Sequence, residues 1–84
     1  MIKEYRIKPF SVEAIQYNGM NTDEIVEWCS EAYVDSYGIN VRTVNGMRLL
    51  FMGDYLVKNS KGYFKIYNEK LFKKSFEEIP VLTF

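Results

Sequence analysis

Along the chain, hydrophobic and polar positions alternate in several short extended stretches and recur with helical spacing in one. "EYRIK" and "FSVEAIQY" are rich in β-branched and aromatic residues, with Pro9 between them. Proline is tolerated in a sheet only at an edge or a break. The pattern predicts one strand over about Val12 to Tyr17, with room for a shorter extended piece before it. In "MNTDEIVEWCSEAYV", Ile25, Trp28, Cys29 and Ala32 follow the i, i+3, i+4, i+7 spacing of one buried helical face. A helix is therefore expected over about residues 21–34, with Trp28 and Cys29 against the sheet. Asn21 is placed to cap it, Glu24 to complete a capping-box-like arrangement, and Met20 and Ile25 to form a hydrophobic staple.

Beyond the helix, the apolar runs of "INVRTVNGMRLLFM" flank Asn45-Gly46, the favoured pair of a two-residue hairpin loop. Such a loop needs positive φ at both residues and sets Val44 opposite Met47 and Arg42 opposite Leu49. Gly53-Asp54 interrupts, "YLVKN" resumes an extended pattern, and "NSKG" offers a second turn before "YFKIYN". The segment "EKLFKKSFEEI" reads either as a short helix presenting Phe72, Phe76 and Ile79 or as a helical turn followed by a strand, and Pro80 ends it. The expected architecture is α+β: one small domain over residues 1–84, with a mainly antiparallel sheet of about four to five strands, one main helix and a short C-terminal helix or turn.

Composition sharpens this picture. A chain of 84 residues buries roughly 60–65% of its unfolded surface, so its core is small. One tryptophan, seven tyrosines and six phenylalanines offset this, because each ring buries a large area. Eleven basic and eleven acidic residues give zero net charge, so any attraction to nucleic acid or anionic lipid must come from a local patch. Cys29 is the only cysteine, which fits a reducing compartment. "MIKEYRIK" does not read as a signal peptide, and no stretch approaches the roughly 20 apolar residues of a membrane span. A cytoplasmic protein with no membrane contact is expected.

The residue inventory also bears on chemistry. With no histidine and one cysteine, the usual zinc ligand sets are missing. Glu77-Glu78 and Asp23-Glu24 are sequence neighbours that read as solvated faces rather than metal sites. Cys29 lies on the apolar helix face, as a small core residue does, and lacks an imidazole base. No serine sits in a Gly-x-Ser-x-Gly context and no glycine loop cradles phosphate. The expectation is a protein that is not an enzyme and carries no cofactor or metal.

Binding is more legible. "KGYFKIY" begins like the aromatic strand of RNA-recognition domains, where Lys61, Gly62 and Tyr63 match. Phe64 and Lys65 then break the motif at positions that want a small residue and a stacking ring. In a strand, Tyr63, Lys65 and Tyr67 share one face while Phe64 and Ile66 share the other. This puts Phe64 and Ile66 in the core and the other three outside, a ring-and-cation surface suited to a nucleotide, bases or a protein partner. Arg6, Lys8 and Lys58 are expected to join Tyr63, Lys65 and Tyr67 in that contact surface. Gly53-Asp54 reads as a structural corner and Gly46 as a turn residue, with a binding role for Tyr55 and Lys58 as the alternative.

"YRIKPFSVEAIQY", "NTDEIVEWC" and "GDYLVKNSKGYFKIYNEKLFKKSFEEI" together cover most of the chain. They resemble a widespread set of small bacteriophage and prophage proteins that share a Tyr-Arg-x-Lys-Pro start, a Val-Glu-Ala-Ile/Val-Gln segment and a Gly-Asp-Tyr/Trp unit. The chain departs from that set after the second turn, where "GYFKIYNEK" replaces a Gly-acid start and a Tyr-Pro-x-Lys-Pro segment. The resemblance implies an accessory protein of a phage, in the cytoplasm of its bacterial host, that inhibits or sequesters a host component. A host-defence factor such as a CRISPR nuclease or a signalling nucleotide fits that setting. The expected partner is thus a host protein or a small nucleotide ligand, bound by a monomer or small homo-oligomer. The alternative is a nucleotide or single-stranded nucleic-acid binding module.

Overall fold

A computed structural model describes residues 2–7 and 10–78. Among them the chain forms eight strands and two helices, the strands arranged in two antiparallel sheets. The class is α+β as expected, but the strands exceed the four to five that the pattern predicts. Strands β1 (Lys3–Ile7) and β2 (Phe10–Gln16) pair with each other, Tyr5 opposite Val12 and Lys3 opposite Ala14. "KEYRI" is therefore a full strand and not merely a lead-in. β2 pairs β6 (Tyr55–Lys58), β6 pairs β7 (Phe64–Tyr67), and β8 (Glu77–Glu78) adds to the other edge through β1. The five-stranded order is β7-β6-β2-β1-β8.

Helix α1 spans Thr22–Trp28, half the expected length, and β3 (Ala32–Asp35) replaces its second half. The helix stops at Cys29, whose backbone is extended (φ −103°, ψ 105°). Tyr33 and Val34 are strand-favouring, and β3 finds a partner in β4 (Gly38–Thr43), with Ala32 opposite Val41. The helical spacing misleads because Ala32 packs on the same core from a strand. At the other end, Asn21 makes no side-chain cap. Its Oδ1 accepts from the Asn18 N–H at 3.0 Å and its Nδ2 donates to the Gln16 carbonyl at 2.8 Å, which fixes the loop into the helix instead. Met20 is 90% exposed, so no staple forms.

Strands β4 and β5 (Gly46–Leu50) form the expected hairpin one residue off the expected position. Thr43 pairs Gly46 and Arg42 pairs Met47, so the loop is Val44-Asn45. The cause is Thr43, whose hydroxyl accepts from the Asn45 N–H at 3.1 Å and donates to the Gly46 carbonyl at 2.7 Å. Positive φ falls on Gly46 (+96°), and Asn45 does not share it. The partner shift is two residues, so each side chain keeps its expected face.

Both faces of the five-stranded sheet are covered. On one, Ile15, Leu56 and Phe64 pack with Ile25 of α1, with Cys29 at its C-terminal end and with Ile39, Val41 and Leu50 of the three-stranded sheet. On the other, Val12, Ala14, Tyr55 and Val57 pack with Phe72 of α2 (Glu69–Ser75). Of the two readings of this segment, the structure has a helix followed by a strand, β8. Helix α2 starts where the Asn68 side chain accepts from the Leu71 N–H at 2.7 Å. Gln16 anchors it, its Nε2 donating to the Glu69 carboxylate at 2.7 Å and to the Gly53 carbonyl at 3.1 Å.

Gly53-Asp54 is a structural corner, as read from the sequence. Gly53 has φ +94°, and the Asp54 carboxylate accepts from the Phe51 N–H at 3.0 Å. Backbone bonds tie the corner to β2 on both sides: the Gly53 N–H donates to the Tyr17 carbonyl (2.7 Å), and the Tyr17 N–H to the Asp54 carbonyl (2.9 Å).

Candidate functional site

The turn between β6 and β7 is built on one side chain. Asn59 Oδ1 accepts from the backbone N–H groups of Lys61 (2.9 Å) and Tyr63 (3.0 Å), an Asx-type closure. Backbone bonds from Asn59 to the Tyr63 carbonyl and from Gly62 to the Asn59 carbonyl complete it. The turn therefore sets Lys61 and Tyr63 in fixed backbone positions beyond the strand ends. Tyr63 is 59% exposed.

Alternation places the next residues as expected up to a point. Phe64 is buried, and Ile66 packs against the same core. Lys65 is exposed, with its Nζ 5.2 Å from the centroid of the Tyr67 ring. Tyr67 itself is not an outer residue. It is half-buried, its ring 5.0 Å from Phe76 and 6.4 Å from Phe72, because α2 covers this part of the face. The expected surface trio is thus an exposed ring, an exposed cation and a supporting ring.

The other sequence candidates scatter. Tyr55 is a core residue, only 9% exposed, its ring stacked on Phe72 at 3.8 Å with an interplanar angle of 3°. Lys58 is half-buried on the opposite face from Lys65, beside Phe64, with Nζ 5.9 Å from that ring. Lys8, Pro9, Ile79 and the "PVLTF" segment lie outside the described residues, as does the side chain of Arg6.

Tyr63, Lys65 and Tyr67 do share one feature, a groove of about 440 Å³. Val12, Val57, Phe64 and Phe76 give it apolar walls, and Val44 closes in from the tip of the β4–β5 hairpin. That tip is pinned to β7 by a bond from the Val44 N–H to the Phe64 carbonyl at 3.2 Å. Lys61, Lys65, Asn59 and Ser60 supply the polar rim, and among the described residues no carboxylate lines the groove. Among the described residues no ion pair engages Lys61 or Lys65. Sequence reasoning missed Val44, Asn59 and Phe76 as lining residues. Asn59 carried a signal in the Asn-Ser-Lys-Gly turn; Val44 comes from the other sheet, and only the tertiary fold brings it here.

Cys29 is fully buried, and burial pushes its thiol above the ordinary 9.0. That favours the neutral thiol and fits the core role expected of it. Among the described residues, no group of three or more Cys, Asp or Glu is placed to hold a metal ion, and no helix is long and apolar enough to cross a membrane. Comparison with protein-family models, curated proteins and solved structures finds no match to the chain.

Proposed function

We propose that this protein is a non-enzymatic phage or prophage accessory protein that works by stoichiometric binding, inhibiting or sequestering a host component in the bacterial cytoplasm. The observation that carries the binding role is the groove beside the β6–β7 turn. There an exposed ring, Tyr63, and two lysines without ion-pair partners among the described residues border an apolar concavity. Exposed aromatic and cationic side chains around a concave apolar floor are typical of binding hot spots. The phage setting rests on the resemblance carried by "YRIKP", "VEAIQ" and "GDY".

The test is retention from host lysate, read by native mass spectrometry. The unaltered chain should retain a component at a fixed ratio and release it unmodified. Tyr63→Ala combined with Lys65→Glu should lose it without changing the melting temperature by more than a few degrees, since both side chains are exposed. Undiminished retention by the double variant would assign binding to another surface. Release of a chemically altered component would make the protein an enzyme.

A further inference from the structure

Resting on the binding role proposed above, we infer that the groove takes a free nucleoside phosphate, with the base against the rings and the phosphates at Lys61 and Lys65. The volume, about 440 Å³, lies in the roughly 300–1,000 Å³ range of small-ligand pockets. Among the described lining residues its floor is apolar and its charged rim is of one sign, with two ammonium groups and no carboxylate. That combination selects a ligand with one planar apolar part and one anionic part.

The positions of the groups support this division. The Asn59 side chain holds the backbone N–H groups of Lys61 and Tyr63 and so fixes where both side chains leave the turn. Lys65 is held over the Tyr67 ring at 5.2 Å, and Phe76 braces that ring from beside it at 5.0 Å. The ammonium at Lys65 is thus anchored near the groove by a cation–π contact while its donors stay available. Tyr63 offers an exposed ring face, and bases of every identity stack on such a face.

A free nucleotide fits better than a polynucleotide strand. A strand needs a cationic track along its backbone, whereas this chain has zero net charge and the groove two cations. Phe64, which would extend a stacking platform along β7, is buried in the core. The neighbouring recess past Val44 carries Glu31, which holds Arg42 at 3.7 Å, so the positive rim does not continue in that direction.

Calorimetric titration with magnesium-free ATP, adenosine, inorganic phosphate and a short oligothymidylate tests the assignment on the whole chain. ATP should bind one to one, and adenosine and phosphate at least about tenfold more weakly, because each offers half of the recognised chemistry. Lys61→Gln with Lys65→Gln should weaken ATP about 100-fold, two charge-assisted contacts at roughly tenfold each. Tyr63→Leu should weaken ATP and adenosine alike while leaving phosphate unchanged. Melting temperatures of the variants confirm folding, which these exposed positions should not disturb. The inference is overturned if ATP shows no binding, if phosphate alone matches ATP, if the oligothymidylate binds much more tightly than ATP, or if the lysine variant binds undiminished. A chain that fails to bind ATP yet retains a host component through the groove loses only the ligand class. One that loses neither ligand nor component on groove substitution overturns the binding surface itself.

Discussion

At the scale of single residues, Phe72 makes the densest set of ring contacts. It stacks on Tyr55 at 3.8 Å, meets Tyr5 edge-on at 4.7 Å and lies 4.9 Å from Phe76. Phe72→Ala should cost about 3–5 kcal/mol in urea or thermal unfolding, the range for emptying a buried aromatic site. Tyr63→Ala, by contrast, should stay within about 0.5 kcal/mol of the unaltered chain. Cys29 gives a pH prediction with a definite sign. Its thiol is raised by burial above 9.0, so the unfolded chain loses that proton first. The stabilisation from keeping it neutral is complete below the unfolded value and is lost as pH rises beyond it. Stability of the unaltered chain should therefore fall above pH 9 more steeply than that of Cys29→Ala, a difference measured by urea midpoints across the alkaline range. Equal slopes would show that Cys29 ionises as freely as in the unfolded chain. These residues also show what was legible. A period of two placed Phe64 and Ile66 inside, but Tyr67 depended on a helix that lies on the other face, which no local pattern reports.

At the scale of elements, the β4–β5 hairpin shows a local side chain outcompeting a dipeptide preference. Asn45-Gly46 favours a loop of its own, yet the Thr43 hydroxyl bridges Asn45 and Gly46 and draws the turn one residue earlier. Only Gly46 then needs positive φ, and nothing lies within 4 Å of where its Cβ would be. Gly46→Val should thus cost about 1 kcal/mol or more through the backbone alone. Asn45→Ala should be nearly neutral, because Asn45 has an ordinary φ. Melting curves of the two variants decide between this turn and the one centred on Asn45-Gly46, in which both would be damaged. The helix makes the same point in reverse. Ile25 and Cys29 satisfy a helical period, and Ala32 continues it by coincidence from β3, so periodicity cannot mark where α1 ends. The corner at Gly53-Asp54 was legible because glycine and aspartate act there through their own local chemistry.

At the scale of the whole molecule, the question is whether two sheets and two cores make one folding unit. Strand β6 answers it through adjacent residues: Leu56 points into the core shared with α1 and the three-stranded sheet, while Val57 points into the core under α2. Neither core can lose its side of β6 without exposing the other. Trp28, the only tryptophan, packs edge-on to Phe64 at 5.5 Å and so reports on the first core alone. Val57→Ala removes two buried methyl groups from the second core and should cost about 2 kcal/mol from transfer and cavity together. If the cores are coupled, that variant should lower the urea midpoint read by Trp28 fluorescence as far as the midpoint read by far-ultraviolet circular dichroism. Ile39→Val, on the far sheet, should likewise shift both readings together, by about 0.5–1.5 kcal/mol. Coincident curves in all three proteins are the signature of one two-state domain. A Trp28 midpoint unmoved by Val57→Ala would mean that the core under α2 melts by itself. The groove at the β6–β7 turn, which takes walls from both cores through Phe64 and Val57, would then exist only while both are folded.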